Sequence, residues 1–277
     1  MGSRPYGTNV LVTGASSGIG LACLLLFARK GYHVWGVSRS ANIGQDVPDT
    51  VHLSSLDVTD DIMVASGIER IWSEAVDLTG DGIGTVVHCA GFGIGGASED
   101  TTATEALAQF DTNYLGIVRI NSALLPHMRS RGPAMVIALG SIAGRISIPF
   151  QAHYSASKFA VEAFMEALRI EGKPFGIRSC VVEAGDTKTP FTGRRQMSIP
   201  SDSPYADQAR KAIGKMEKDE QNGYAPSKVA SVVFNMAQRK NPPVRKPVGA
   251  GYALLMFLKR LLPDRIAIWV VTKMYIG

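Results

Sequence analysis

The sequence predicts an α/β protein built on a doubly wound parallel sheet of about seven strands with helices on both faces. Two observations predict it. Short apolar, β-branched runs are separated by longer helical stretches, the pattern of strand–crossover–strand units. Runs such as Asn-Val-Leu-Val-Thr (9–13) and Ser-Cys-Val-Val-Glu (179–183) do not alternate polar with apolar residues, as befits strands buried on both faces.

The elements follow in order. Asn9–Thr13 is the first strand; a Gly/Ser turn and the helical run Gly20–Lys30 come next. His33–Val37 and Val51–Leu56 read as the second and third strands, followed by a helix from about Asp60 to Val76 and a strand at Thr85–Cys89. One long helix is expected from about Thr104 to Arg131, then a strand at Ala134–Leu139, a helix at Tyr154–Glu171 and a sixth strand at Ile177–Glu183. Residues 186–225 are polar and rich in Ser, Pro, Arg and Lys, with one helical patch near Tyr205–Lys218. A loop of that length reads as a lid over the ligand edge of the sheet. Helix Ser227–Arg239, a short strand at Val244–Val248 and two apolar helical segments split by Pro263 complete the chain. A length of 277 residues suits one domain over 1–277, with the lid at 186–225 and a C-terminal helical extension at 250–277.

Composition removes several classes of function. The net charge is +5, from 29 Lys and Arg against 24 Asp and Glu, and no basic stripe with a recognition element appears, so nucleic acid is not an expected partner. Cys23, Cys89 and Cys180 sit among apolar neighbours; they read as reduced and buried, pointing to the cytoplasm. No cysteine or histidine spacing suits a metal. The N-terminus lacks an apolar signal region, and Tyr6 in place of Ser or Thr argues against myristoylation of Gly2. The apolar stretch Ile266–Val271 is too short to span a membrane.

Thr13-Gly14-Ala15-Ser16-Ser17-Gly18-Ile19-Gly20 joins the first strand to the first helix. A glycine turn by itself is often only a turn. Between a buried strand and a helix N-terminus it lets backbone approach a pyrophosphate, which the free N–H groups and the helix dipole then hold. At the end of the second strand, where an acid would bind ribose hydroxyls, stands Arg39. A guanidinium suits a 2′-phosphate, so the cofactor expected is NADP(H). Asp57 is placed to accept the adenine amino group; Thr59 and Asp60 read as helix caps.

Tyr154 and Lys158 stand four apart and share a helix face. A lysine ammonium beside a tyrosine favours the phenolate, which an ordinary aromatic–basic pair has no use for.

With these motifs the sequence resembles the short-chain dehydrogenase/reductase family from Asn9 to about Val248. The matching pieces are Thr-Gly-Ala-Ser-Ser-Gly-Ile-Gly, Leu-Asp-Val-Thr-Asp (56–60), Asn113 in Phe-Asp-Thr-Asn-Tyr, Ser141 in Gly-Ser-Ile-Ala-Gly, and Tyr-Ser-Ala-Ser-Lys (154–158). The resemblance implies a Rossmann fold and a catalytic set of Asn113, Ser141, Tyr154 and Lys158. Tyr154 would be the general acid for ketone reduction and the base for alcohol oxidation. Lys158 would lower its pKa and hold the nicotinamide ribose, Ser141 would orient the substrate oxygen, and Asn113 would hold a water relaying protons to Lys158. Gly14, Ser16, Ser17, Gly18, Ile19, Gly20, Arg39, Asp57, Val58, Ala90, Gly91, Gly185, Thr187 and Thr189 would bind the cofactor, with Asn113, Tyr154 and Lys158. Two departures stand out: His88-Cys89 replaces the family's Asn-Asn, making His88 a core histidine, and Ala184 replaces the proline before Gly185.

Gly144–Phe150, Lys158–Phe164 and the C-terminal Leu-Leu-Pro (261–263) look like the 17β-hydroxysteroid and retinol dehydrogenase branch. The expected substrate is a lipophilic ketone or alcohol, a hydroxysteroid in the first instance, in a pocket of Phe92, Ile94, Ile148, Phe150 and Phe191 beside Met197. Retinoid, long-chain or xenobiotic carbonyls keep the same chemistry. A non-catalytic NADP-binding regulator is the rival of another class, disfavoured because a binder needs no proton donor. The C-terminal segments can cap the pocket, pack between subunits or touch a membrane surface. The resemblance also implies a homodimer or homotetramer built partly from the helices at 104–131 and 154–171.

Overall fold

The computed structural model of the chain describes residues 4–277, so the reading of Gly2 lies outside the described residues. The first half runs β1 (Asn9–Thr13), α1 (Gly18–Arg29), β2 (His33–Ser38), β3 (Val51–Ser55), α2 (Asp61–Thr79) and β4 (Thr85–His88). A short strand β5 (Ile94–Gly96) leads into α3 (Ala103–Phe110), a π-helical turn at Asp111–Leu115, and α4 (Gly116–Arg131). Then come β6 (Ala134–Ser141), α5 (Ala152–Glu171), β7 (Ile177–Ala184), β8 (Gln196–Ser198), α6 (Ala206–Gln221), α7 (Pro226–Ala237) and β9 (Arg245–Pro247). Two helices, α8 (Ala250–Leu261) and α9 (Asp264–Tyr275), complete the structure.

Seven strands form one sheet in the order β3-β2-β1-β4-β6-β7-β9, every neighbouring pair parallel. This is the doubly wound sheet the sequence predicts. Val10, Val12, Val34 and Val182 are buried with Leu24 and Phe27 of α1 and Val233 and Met236 of α7 in one core. Leu11, Trp35, Val86 and Val136 form the other with Ile68 of α2, Ile120 of α4 and Met165 of α5. Adjacent residues on one strand thus serve opposite cores, which is why the strands read as unbroken apolar runs. Strand order reverses between β1 and β4, and the crevice beyond their carboxyl ends is where such sheets bind ligands.

The structure departs from expectation in three places. The single helix expected over 104–131 is broken by the π turn, because the Asn113 side chain is tied across the chain to the Phe92 backbone and Ser157. Such turns often mark functional positions. A two-stranded ribbon of β5 and β8 is not legible in the sequence because its three-residue strands hold too little pattern. Cys89 is only half-buried, unlike Cys23 and Cys180, though all three thiols are free.

Candidate active site

One cavity of about 1150 Å³ opens along the carboxyl ends of the sheet. The turn after β1 forms its floor. Gly14 has φ +65°, and a Cβ there would meet the Ala90 backbone N at 2.7 Å, so only glycine lets the turn pack on the segment after β4. Thr13 Oγ1 locks the same contact by accepting the N–H groups of Cys89 and Ala90 at 3.2 and 3.3 Å. Ser17 stands at the N-cap of α1 without a side-chain cap, and no acid occupies the first turn. The helix therefore presents uncapped N–H groups to the cavity, a donor set that fits a pyrophosphate.

All the sequence-assigned cofactor residues line this cavity except Asn113. Arg39 lies exposed at the rim between Ser38 and Ser40. Asp57 accepts the N–H and hydroxyl of Thr59 at 3.0 and 2.8 Å, so Thr59 shapes this turn while Asp60 alone caps α2. A residue not foreseen, Arg194, also lines the cavity and donates from Nη1 to Ser17 Oγ at 3.1 Å. It brings a cation from residues 186–225 to the glycine turn. Its signal in the sequence was only one more arginine in a polar stretch.

Tyr154 and Lys158 sit in the first turns of α5 and line the cavity with Ser141, the last residue of β6. Burial pushes the Tyr154 phenol up to about 12, while the Ser141 hydroxyl pulls it down; Glu220 and Arg195 add smaller opposing effects. Burial lowers Lys158 to about 8. The ammonium gives its hydrogen bond to the backbone rather than to the phenol. Its Nζ donates to the Leu139 carbonyl at 2.9 Å and stands 5.8 Å from the Tyr154 ring centre. The carbonyl at the end of β6 captures it because a buried ammonium needs an acceptor. Asn113 is fully buried behind them: its amide donates to the Phe92 carbonyl and Ser157 Oγ and accepts the Phe92 N–H. Those bonds make it a brace between the β4 exit and α5. His88 is buried, hydrogen-bonded to Asn121 Oδ1 at 3.1 Å, and pushed by burial down to about 4, a neutral core histidine.

Behind α5 lies a charge cluster that no motif announced. Glu162 and Glu183 are buried; Arg245 pairs with Glu162 at 2.6 Å and Arg145 with Glu183 at 3.0 Å. A Cβ on Gly140 would meet Glu162 Oε1 at 3.0 Å, so glycine lets β6 pass this carboxylate. Burial and the neighbouring Glu183 raise Glu162 to about 7, against Arg245. Native protein thus binds this proton more tightly than unfolded chain, and the stability it contributes is lost as pH rises from the ordinary Glu value toward 7. Over that window wild type should lose up to roughly 3 kcal/mol relative to Glu162→Gln in thermal melts. Parallel curves would show that Glu162 does not titrate there.

The apolar part of the cavity differs from its expected lining. Phe92, Ile148 and Phe191 line it, and the Phe191 ring lies 5.7 Å from that of Tyr154. Ile94 does not: it is buried in β5, paired with Gln196. Phe150 also lies off the wall, in a left-handed turn (φ +59°) whose carbonyl accepts the Gly96 N–H. Met197 is exposed on β8. In their place the terminal helices supply Leu255, Leu258, Leu262, Ala267, Val270, Val271 and Met274. Tyr252 anchors α8. Its ring packs where a Cβ on Gly185 would stand, and its hydroxyl donates to Asp186 Oδ2 and accepts the Asp186 N–H. The turn after β7, which lacks proline, is pinned by this helix instead.

These features are those of short-chain oxidoreductases, and the comparisons agree. Residues 8–198 match the family described as short chain dehydrogenase. The chain is 39% identical over 262 residues to the 3-ketodihydrosphingosine reductase of Bacteroides thetaiotaomicron, covering 93% of this chain and 94% of that one. It is 30% identical to retinol dehydrogenase 8 of Bos taurus, covering 92% and 86%. A solved short-chain dehydrogenase from Streptomyces avermitilis superposes with a TM-score of 0.79 at 30% identity, covering 92% and 94%. The chain belongs to the short-chain dehydrogenase/reductase family and is an oxidoreductase of that family.

Proposed function

We propose that the protein is an NADP(H)-dependent reductase of a ketone carried on a long or bulky lipophilic molecule. The observation that carries this reading is the continuity of the cavity, from the glycine turn past Tyr154 to the aliphatic wall of α8 and α9. A long-chain keto lipid, such as the name of the Bacteroides relative denotes, fits that wall as well as the hydroxysteroid first expected, and becomes the preferred substrate class. When bound, the nicotinamide would supply the hydride. The glycine turn and Arg194 would hold its pyrophosphate, Arg39 the 2′-phosphate, and Lys158 the ribose beside the nicotinamide. Ser141 would orient the substrate oxygen. Tyr154, protonated at neutral pH, would donate the proton that completes the alcohol. Reduction at neutral pH is the direction that a phenol held near 12 favours; alcohol oxidation would need the phenolate and should quicken as pH rises.

Two further experiments bear on this assignment. Arg194→Ala should weaken NADPH binding roughly ten-fold by loss of a charge-assisted contact, measured by fluorescence titration; unchanged affinity would remove Arg194 from the cofactor. Ending the chain after Leu262 removes the α9 wall, and should raise KM for a long-chain ketone roughly ten-fold or more while kcat for a small ketone holds. Equal loss on both substrates would show a general structural role instead. Free cysteines support a cytoplasmic setting, and exposed Leu107 and Phe159 support the expected homo-oligomer. No helix among the described residues is long and apolar enough to cross a membrane.

A further inference from the structure

We infer that the outer faces of α8 and α9 dock this protein on an anionic lipid bilayer, beside the apolar end of its cavity. The residues sort by helical period. On α9, Ala267, Val270, Val271 and Met274 line the cavity, whereas Ile268 and Trp269 turn away and are 67% and 60% exposed. On α8, Leu255, Leu258 and Lys259 line it, as does Leu262 just beyond the helix, whereas Phe257 and Leu261 are 59% and 65% exposed. An aromatic and aliphatic face of this kind belongs in the interfacial region of a membrane, where Trp and Phe anchor helices that lie flat. Each helix has 12 residues, about 18 Å, well short of the ~30 Å hydrocarbon core, so the two helices lie on the bilayer and do not span it.

Charge selects the occupant. Of the four bases between Ala250 and Gly277, Lys259 lines the cavity and lies 3.6 Å from Asp264, the one acid there, whereas Arg260, Arg265 and Lys273 are exposed. That excess complements anionic headgroups. A second copy seated on the same face would set one net positive patch against another. The opposite sides of these helices form part of the cavity wall, so a lipid leaving the bilayer here reaches the apolar cavity without passing through bulk water. This route rests on the lipophilic substrate proposed above; the docking itself is read without turnover.

The test is co-sedimentation of the full chain with vesicles of phosphatidylcholine alone, or of an equal mixture with phosphatidylglycerol. The mixed vesicles should carry the protein down, less so as salt rises, and the emission of Trp269 should move to shorter wavelength. Phe257→Ser with Trp269→Ser should reduce the bound fraction roughly ten-fold with the circular dichroism spectrum and melting temperature unchanged. Should that pair fail to fold, Arg265→Glu with Lys273→Glu should abolish the preference for anionic vesicles. Wild-type protein left in solution with mixed vesicles at low salt would overturn the inference. So would serine variants that bind undiminished, or a dimer without vesicles that the same variants split. Vesicle binding without turnover on any ketone would overturn the proposed function and uphold the docking.

Discussion

Replacing Tyr154 by phenylalanine should lower ketone reduction by roughly 10³-fold and leave NADPH affinity within about two-fold. The substitution removes one oxygen and keeps the ring, which packs near Phe191 and forms part of the cavity wall. The cofactor contacts proposed for the glycine turn and Arg39 lie on other elements and are undisturbed. No neighbouring group replaces the donor. The Ser141 hydroxyl is the group proposed to orient the substrate oxygen, and the Lys158 ammonium is held on the Leu139 carbonyl. Ser141→Ala should fall in the same sense by less, because it removes an orienting hydrogen bond and leaves the proton in place. Retained turnover in Tyr154→Phe would take Tyr154 out of the reaction.

Arg39→Asp should move the ratio of kcat/KM for NADPH over NADH by roughly 10²-fold toward NADH. Two effects add. A guanidinium that can bind a 2′-phosphate by two parallel hydrogen bonds is lost, and a carboxylate that repels the phosphate but accepts ribose hydroxyls is gained. Arg39 lies at the exposed rim, so the substitution should not disturb the core. An unchanged ratio would move the 2′-phosphate to another cation, and Arg194 would be the first candidate.

The parts of this molecule legible in its sequence are those set by local pattern. Unbroken apolar runs gave away a sheet buried on both sides, and the spacing of Ser141, Tyr154 and Lys158 put them on one strand end and one helix face. Contacts made across the chain were not legible. The π turn at Asn113 arises from the Phe92 backbone and Ser157, neither of which lies near it in sequence. Lys158 turned to a strand carbonyl because burial demands an acceptor, which i, i+4 spacing does not reveal. Ile94 and Phe150 stand two residues from the cavity residues Phe92 and Ile148 yet face elsewhere, since β5 pairs with β8 and Phe150 turns left-handed. The terminal helices are apolar on two faces, so only their packing, α8 against β9 and α9 against α6, distinguishes the wall of the cavity from the surface.

The most direct test of the central claim is NADPH oxidation, followed by absorbance, against a panel of long-chain keto lipids, keto-steroids, retinal and small ketones, with NADH in parallel. The account predicts turnover concentrated on a lipophilic ketone, faster with NADPH than with NADH and absent in Tyr154→Phe. Tight NADPH binding with no turnover on any carbonyl would contradict it and leave a nucleotide-binding regulator in its place.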